Sequence, residues 1–211
     1  MIYELRTSTV RQRSLSEAVK AAGIVSLEIR KDHYGKLEGC WQTEIGPLNQ
    51  VVELWSYQDL NERARLLAEL NADPHRNAEN VRLFRPHLIR QEVRLLNEVR
   101  APKGPLKVPN IYEIRNYRTT PGAVARWLQL FTGVLEVREK YTRMVGLWAT
   151  EAPQVNEVCH IWVYSDLNAR AAARAALLED PGWQNFLRDS TGLLEELHST
   201  IMLPAPHSPL K

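Results

Sequence analysis

The chain has 211 residues, of which 44% are hydrophobic and 25% are charged, and its formal net charge is +2. This composition is typical of a soluble globular protein and excludes a collagen-like chain, a disordered chain and a coiled-coil rod. The isoelectric point of 8.6 lies below the strongly basic range of dedicated nucleic-acid-binding domains, and no apolar run approaches the roughly 18 residues of a membrane-spanning helix.

The first predicted element is a strand over about residues 2–9, where β-branched and aromatic residues alternate with other side chains. Glu4 places a charge early in this segment, which lacks the apolar stretch of a secretory signal. We therefore expect a cytoplasmic protein that neither inserts into membranes nor binds nucleic acids.

The rest of the first hundred residues alternates between helix and strand signals. Three helix starts are marked by side chains that cap free backbone N–H groups, at Ser14–Glu17, Asp59 and Asp73-Pro74. Three further strands are predicted: one that ends at Glu44, one over about 49–57 after the Gly46-Pro47 turn, and one over about 91–97. The order of elements is therefore β-α-β-β-α-β.

Residues 99–109 have the composition of a linker. Pro102, Gly104, Pro105 and Pro109 lie among basic residues in this segment. Such a composition predicts an extended, semi-stiff connector without regular secondary structure.

The second half of the chain repeats the first. Ile2–Arg6 returns as Ile111–Arg115, and from Gly39 onward the matching residues are 107 positions apart. The matches include Trp41 with Trp148, Trp55 with Trp162, and Tyr57 with Tyr164. Helix starts are expected at Thr120-Pro121-Gly122, Asp166 and Asp180-Pro181, and the third and last strands over about 156–164 and 198–203. So many matches in register indicate a duplicated domain rather than a solenoid.

The duplication predicts both the domain boundaries and the fold class. We assign the domains to residues 1–98 and 110–205, with a tail over 206–211. The β-α-β-β-α-β order is the ferredoxin-like arrangement of an α+β protein, in which helices cover one face of a four-stranded antiparallel sheet. The other face needs a partner, and the second copy supplies one. We therefore predict two tandem ferredoxin-like repeats that pair their sheets into a pseudo-dimeric α/β barrel.

Three segments carry a resemblance to a known family. They are Ile2–Arg6, Trp41–Tyr57, and Asp59-Leu60-Asn61 with Arg63, and the second copy repeats them more loosely. Counted over both copies, these segments extend across most of the chain. In them the sequence resembles the NIPSNAP family. The resemblance implies the fold of the dimeric α/β-barrel superfamily, which includes cofactor-independent monooxygenases, isomerases and haem enzymes. It implies no single reaction.

Two positions depart from the pattern of that family. The resemblance implies a histidine where the first copy has Glu53, whereas the second copy keeps His160. It also implies a Pro-Gly pair before the first helix, which survives as Pro121-Gly122 but is Gln12-Arg13 in the first copy. We therefore expect any activity to be asymmetric between the copies.

The third strands carry the candidate ligand-binding residues. Alternate residues of a strand point to opposite faces, so Glu53, Trp55 and Tyr57 share a face, as do His160, Trp162 and Tyr164 in the second copy. The opposite face is almost uniformly apolar. We expect the apolar face to lie under the helices and the mixed face to point into the barrel interior or to solvent.

The first strands add charged candidates to this face. Glu4 shares a face with Arg6, and Glu113 shares one with Arg115. A buried unpaired charge costs several kcal/mol. We therefore expect each glutamate to pair with the arginine two residues later.

Together these residues predict an aromatic and polar pocket that binds a small molecule. His160 and Glu53 are the candidates for a general base, and Arg6 or Arg115 would stabilise an anion. The resemblance implies a cofactor-independent monooxygenase or an isomerase. In the alternative interpretation the aromatic side chains only fill the barrel, the Glu/Arg pairs are structural, and the protein is a non-catalytic interaction or scaffold module.

Other chemical signals are lacking. The six histidines never adopt the spacing of a metal site, and no nucleotide-binding or hydrolase motif occurs. We therefore predict no metal and no cofactor. Cys40 and Cys159 are expected to be small buried hydrophobic residues, and the whole protein is expected to form a homo-oligomer.

Overall fold

The computed structural model describes residues 1–104 and 110–211. Most of the predicted linker, 105–109, therefore lies outside the described residues. Val99 and Arg100, which were assigned to the linker, belong to the last strand of the first repeat. No helix of the described residues is long and apolar enough to cross a membrane.

The first repeat has the predicted order of elements, including the predicted break between two helices at Asp73-Pro74. Its elements are β1 (Ile2–Val10), α1 (Leu15–Ile24) with a π-helical continuation (Val25–Arg30), β2 (Lys36–Ile45), β3 (Gln50–Tyr57), α2 (Leu60–Ala72), α3 (Pro74–Leu83), a 3₁₀ helix (Arg85–His87) and β4 (Leu88–Arg100).

The second repeat has the same order. Its elements are β5 (Ile111–Thr119), α4 (Val124–Gly133), α5 (Leu135–Glu139), β6 (Arg143–Ala152), β7 (Glu157–Tyr164), α6 (Leu167–Leu178), α7 (Pro181–Asp189) and β8 (Leu194–Pro204). The predicted alternation of strands and helices is confirmed in both copies.

Aspartate caps begin four of the helices, as predicted. The Asp59 and Asp166 carboxylates accept hydrogen bonds from the backbone N–H groups of Glu62 and Ala169, both at 2.8 Å. Asp73 and Asp180 cap α3 and α7 in the same way, each followed by a proline at the first helical position. These caps satisfy N–H groups that a helix leaves free at its start.

The first helices of the two repeats differ from the prediction at their starts. Ser14 lies at the N-cap of α1, but its side chain makes no capping hydrogen bond. The predicted start of α4 at Thr120-Pro121-Gly122 was wrong, because the helix begins at Val124. Gly122 has a φ of +80°, which belongs to a left-handed turn and not to a helix.

The eight strands form one closed antiparallel barrel in the order β1-β3-β2-β8-β5-β7-β6-β4, and β4 pairs with β1 to close it. Each repeat contributes a four-stranded sheet. The two sheets join where β2 pairs with β8 and where β4 pairs with β6. The predicted pairing of two ferredoxin-like sheets into a pseudo-dimeric α/β barrel is therefore confirmed.

The joins between the sheets account for part of the extra length of the last strands. Beyond the segment that pairs within its own sheet, β4 continues to Arg100 and pairs with β6. β8 starts earlier than predicted, at Leu194, through its pairing with β5, and ends at Pro204, where it pairs with β2. A local sequence pattern does not reveal these additional partners, because they come from the other repeat.

Two tryptophans and two tyrosines fill the middle of the barrel. The ring of Trp41 lies 5.5 Å from that of Tyr112, and the ring of Tyr3 lies 5.6 Å from that of Trp148. A side chain at Gly39 or Gly146 would collide with the neighbouring tryptophan ring, so these strand positions require glycine. A cavity of about 330 Å³ remains in the barrel, lined by Thr7, Thr43, Asn116 and residues of β4 and β8.

The prediction of which sheet face meets the helices was wrong. The apolar face of the third strands, with Val52, Leu54 and Ile161, belongs to the barrel interior. The mixed face, with Trp55 and Trp162, packs against the helices. Apolar side chains of both sheets pack together in the middle of the closed barrel, whereas arginines from the helices satisfy the charges of the mixed face.

Both cysteines are buried and free, as expected. The backbone N–H of Cys40 donates to Ser208 Oγ at 2.9 Å, and its carbonyl accepts from Ala205 N. The residues predicted as a tail, 206–211, therefore pack against the first repeat, and Leu210 joins the apolar cluster of the barrel.

Candidate functional site

Each repeat contains one site between its sheet and its helices, and the two sites occupy equivalent positions. In the first repeat Arg6 on β1 lies directly opposite Glu53 on β3. In the second repeat Arg115 on β5 lies opposite His160 on β7. The candidate residues of the first and third strands are therefore brought together within each repeat, under its helices, whereas the sequence predicted the barrel interior or solvent.

Glu113 is the charge centre of the second site. Its carboxylate is fully buried and accepts hydrogen bonds from Arg115 at 2.9 Å, Arg170 at 2.6 Å and the Ser199 hydroxyl. Burial alone would raise the pKa of this carboxyl. The hydrogen bonds and positive charges of Arg170 and Arg115 outweigh burial and hold the pKa well below its ordinary value.

Glu4 has the same role in the first site. Its buried carboxylate forms ion pairs with Arg6 and with Arg63 of α2. The predicted pairing of each glutamate with the arginine two residues later is therefore confirmed. Arg63 and Arg170 are partners that the sequence reasoning did not assign to a site, although both stand at the same place in the repeated Asp-Leu-Asn-x-Arg string.

A second buried arginine in each repeat lies on the tryptophan of the third strand. The guanidinium of Arg138 lies 4.1 Å from the ring centre of Trp162 and donates to the Tyr164 hydroxyl at 3.2 Å. Arg30 has the same arrangement, 3.8 Å above Trp55 and 3.3 Å from the Tyr57 hydroxyl. Neither arginine has a carboxylate partner within the described residues, and both are at most 3% exposed.

Sequence reasoning missed Arg30 and Arg138 entirely. The register between the copies changes from 109 to 107 residues within this region, and these two arginines are 108 positions apart. They were therefore not aligned with each other. Burial lowers the pKa of each guanidinium, and the positive charges of Arg6 near Arg30 and of Arg115 near Arg138 add to that lowering.

His160 is a buried, neutral hydrogen-bond donor. Its Nδ1 atom accepts a hydrogen bond from the Trp162 indole N–H at 2.6 Å, which leaves the proton on Nε2. Nε2 has no partner in the described residues. Burial lowers the pKa of the imidazole well below its ordinary value, and the charges of Arg115 and Arg138 lower it further.

A cavity of about 210 Å³ lies between the second sheet and its helices. Its polar lining consists chiefly of Arg115, Arg138 and His160, and Arg174 lies exposed at its edge. The remaining walls are aromatic and aliphatic, and they include Trp127, Phe131, Trp162, Trp183, Phe186 and Leu177. This is the composition of a small-molecule pocket, with apolar walls and a few convergent polar groups.

The first repeat has polar cavities at the equivalent place. One of about 210 Å³ is lined by residues that include Arg6, Arg30, Glu53 and Arg85, and one of about 70 Å³ adjoins it. Glu53 accepts a hydrogen bond from the Ser26 hydroxyl at 3.1 Å. The cavity of the second repeat has the neutral donor His160 and aromatic walls. At the equivalent place the first repeat has the carboxylate of Glu53 and several amide side chains.

No group of histidine, cysteine, aspartate and glutamate side chains among residues 1–104 and 110–211 is arranged to hold a metal ion. The prediction that the protein needs no cofactor remains a prediction. The same holds for the predicted homo-oligomer.

Comparison with known proteins identifies relatives along the entire chain. The family model described as NIPSNAP matches residues 3–101 and again residues 112–209. The chain is 29% identical over 218 residues to human NipSnap homolog 2, a match that covers 100% of this chain and 75% of that protein. It is 27% identical over 218 residues to NipSnap homolog 1 of Danio rerio, covering 100% of this chain and 77% of the relative.

The fold also resembles that of solved structures with little sequence similarity. A protein of Lactobacillus acidophilus NCFM, provisionally described as a monooxygenase, superposes with a TM-score of 0.70 at 13% identity. The superposition covers 97% of this chain and 93% of the other. At this identity the similarity concerns the fold alone.

Proposed function

The chain belongs to the NIPSNAP family, and we propose that its second repeat binds a small carboxylate with an apolar body in the cavity between the sheet and α4 to α7. The observation that carries the proposal is the buried guanidinium of Arg138. It is 1% exposed, and no carboxylate of the described residues pairs with it.

The charge balance of the second site favours an anionic ligand. Among the described residues, three arginines, Arg115, Arg138 and Arg170, surround the single carboxylate of Glu113. Burying positive charge without a counter-charge costs free energy, and Arg138 Nη1 is buried without a hydrogen-bond partner in the described part of the chain. A ligand carboxylate would supply both the counter-charge and an acceptor, and arginine pairs with carboxylates in a bidentate geometry.

The walls of the cavity favour an apolar body behind that carboxylate. Trp127 and Phe131 stack with ring centres 4.4 Å apart, and Trp183 and Phe186 lie 4.7 Å apart on α7. Aromatic walls gain free energy when they exclude water from an apolar ligand. The cavity volume of about 210 Å³ suits a small ligand.

His160 would act on such a ligand as a hydrogen-bond donor rather than as the general base that the sequence predicts. Its Nδ1 lone pair is already occupied by the Trp162 indole, and Nε2 carries the proton. A ligand oxygen facing Nε2 would accept that hydrogen bond. A neutral imidazole in this role polarises a carbonyl and stabilises developing negative charge, which is compatible with the isomerase and oxygenase chemistry implied by the resemblance.

Titration with phenylacetate tests the proposal. Quenching or enhancement of tryptophan fluorescence reports binding, because Trp127, Trp162 and Trp183 line the cavity. We expect phenylacetate to bind at least about tenfold more tightly than phenylacetamide, since a charge-assisted hydrogen bond contributes about 1.5–3 kcal/mol. Arg138→Met should abolish this preference while far-ultraviolet circular dichroism stays unchanged.

Arg30→Met is the matched control, because Arg30 occupies the equivalent position over Trp55 in the first repeat. This variant should keep the preference for the acid. Equal affinities for the acid and the amide in the unmodified protein would refute the proposal, as would equal losses in the two variants.

A further inference from the structure

The first repeat holds a second binding site whose chemistry differs from that of the second repeat. We propose that the polar cavities between its sheet, the π-helical segment Val25–Arg30 and α3 bind a small hydrophilic anion of the phosphate-monoester class. This site is separate from the cavity of the second repeat, and its occupancy does not depend on the function proposed for that cavity.

The two cavities of the first repeat are adjacent, and arginine and amide side chains line both. They share Arg6, Val25, Arg30 and Asn80 as lining residues. Their volumes, about 210 Å³ and about 70 Å³, suit a ligand of few atoms. The aromatic lining is limited to Phe84 among the described residues, which contrasts with the many aromatic walls of the second repeat.

Four arginines line this region. Arg6 and Arg76 already have carboxylate partners, Glu4 and Asp73. Arg30 and Arg85 have no such partner among residues 1–104 and 110–211. Arginine is the side chain that best matches a phosphate group, because its planar N–H groups donate in a bidentate geometry.

Arg30 is the innermost of these arginines. It is 3% exposed, and its Nε atom is buried with no hydrogen-bond partner among residues 1–104 and 110–211. Its Nη2 atom donates to the Tyr34 carbonyl at 2.7 Å and to the Tyr57 hydroxyl, and its guanidinium stacks on Trp55. The guanidinium is therefore held in place, and the Nε–H group is left as an unused donor. Burial and the nearby charge of Arg6 lower its pKa, and a bound anion would relieve this unfavourable environment.

Beside apolar residues such as Val25 and Leu88, the lining includes side chains that can recognise ligand hydroxyls. Asn80 and Gln91 contribute amide groups to the larger cavity, and the Gln91 amide is oriented by a hydrogen bond to Ser8 Oγ at 3.0 Å. Glu53 is the single carboxylate among the lining residues. It can accept a hydrogen bond from a ligand hydroxyl, which distinguishes a phosphorylated polyol from a bare phosphate ion.

Nuclear magnetic resonance of the full chain tests this site with inorganic phosphate and glycerol phosphate as probes. We expect saturable shifts of the Arg30 Nε–H resonance and of the Asn80 side-chain amide. Glycerol phosphate should bind more tightly than inorganic phosphate, and Glu53→Gln should reduce that difference. Glycerol at the same concentration should shift neither resonance.

Arg85→Gln and Arg174→Gln form a matched pair of variants. Both arginines are exposed and lie at the edge of a cavity, Arg85 in the first repeat and Arg174 in the second. Arg85→Gln should weaken glycerol phosphate binding at least about tenfold, whereas Arg174→Gln should leave it unchanged. Equal effects of the two variants, or shifts of Arg30 and Asn80 that never saturate, would overturn the proposal.

Discussion

Glu113 holds the arginines of the second site together, and its removal should destabilise the protein. Glu113→Gln keeps the size of the side chain but leaves Arg115 and Arg170 without a buried counter-charge. Breaking a buried ion pair by removing one partner costs about 3–5 kcal/mol. We therefore expect a loss of this size in the free energy of unfolding, measured with urea.

Two variants provide controls for that measurement. Glu4→Gln removes the equivalent carboxylate of the first repeat and should cost a similar amount, because Glu4 also pairs with two arginines. Glu136→Gln changes an exposed side chain and should have little effect. A loss below about 1 kcal/mol for Glu113→Gln, the size of an exposed pair, would show that the arginines find other partners.

His160 should make the stability of the protein depend on pH. Burial and the charges of Arg115 and Arg138 hold its pKa well below the ordinary value. In the unfolded chain the imidazole takes up a proton as the pH falls below about 6.5, whereas the folded protein resists it. The free energy of unfolding should therefore fall as the pH is lowered from 7.5 to 5.5, with a slope of up to about 1.4 kcal/mol per pH unit below 6.5.

His160→Gln should remove most of that slope, and urea unfolding at several pH values measures it. The control is His198→Gln, which alters an exposed histidine of β8 and should leave the slope intact. Identical slopes for the unmodified protein and His160→Gln would mean that the folded protein accepts the proton at His160.

For individual residues, the sequence predicts which charged side chains form ion pairs better than it predicts which groups surround the aromatic and histidine side chains. The spacing of Glu4 and Arg6 permits an ion pair, and the pair forms. The cation over each tryptophan was not predicted, because Arg30 and Arg138 lie on helical segments whose register relative to the strands depends on tertiary packing. Likewise, nothing in the local pattern indicates that the Trp162 indole fixes the tautomer of His160.

At the scale of elements, the cap of α7 connects the stability of a helix to the shape of the proposed ligand site. Asp180 accepts hydrogen bonds from the backbone N–H groups of Gly182 and Trp183, and also from the Tyr141 hydroxyl at 2.9 Å. Trp183 and Phe186 on this helix form part of the cavity wall. Asp180→Ala should lower the free energy of unfolding by about 1–2 kcal/mol and weaken phenylacetate binding.

Asp73→Ala separates the two effects of that cap. Asp73 caps α3 in the first repeat, and its carboxylate accepts from Arg76 N at 3.1 Å. The loss of this cap should cost comparable stability in urea unfolding without changing the fluorescence titration with phenylacetate. If both variants weaken binding equally, the effect of Asp180 is one of general stability and not of the cavity wall.

The elements also show where sequence patterns mislead. Aspartate-proline pairs at helix starts and glycines in turns determine the backbone conformation of their immediate neighbours. The strands, the helices and most helix caps were therefore predicted correctly. The orientation of the sheet faces was not, because a uniformly apolar face can meet either helices or a second sheet. Only the closed barrel decides, since the apolar faces of both sheets pack together in its middle while Arg63 and Arg170 on the helices neutralise the charges of the other face.

At the scale of the whole molecule, the duplication leaves each repeat incomplete by itself. Every edge strand of one repeat pairs with the other: β2 with β8, and β4 with β6. The interior cluster likewise combines residues of both copies, such as Tyr3 with Trp148. Because the closed barrel has no free sheet edge, self-association of the whole chain would have to use the helices or the loops.

The isolated second repeat, residues 110–211, should therefore form a homodimer. In the second repeat, β6 is the counterpart of β2. The pairing of β2 with β8 therefore corresponds to a pairing of β6 of one copy with β8 of another. Two copies can close a barrel through two such pairings. The dimer would cover the free edges of β6 and β8 and the exposed interior face around Trp148, all of which favour association. Sedimentation at micromolar concentrations measures the mass, and Met202→Lys, which places a charge in the interior, should prevent the dimer. A folded monomer with cooperative unfolding would contradict this prediction, because it would show that one sheet and its helices suffice to bury the core.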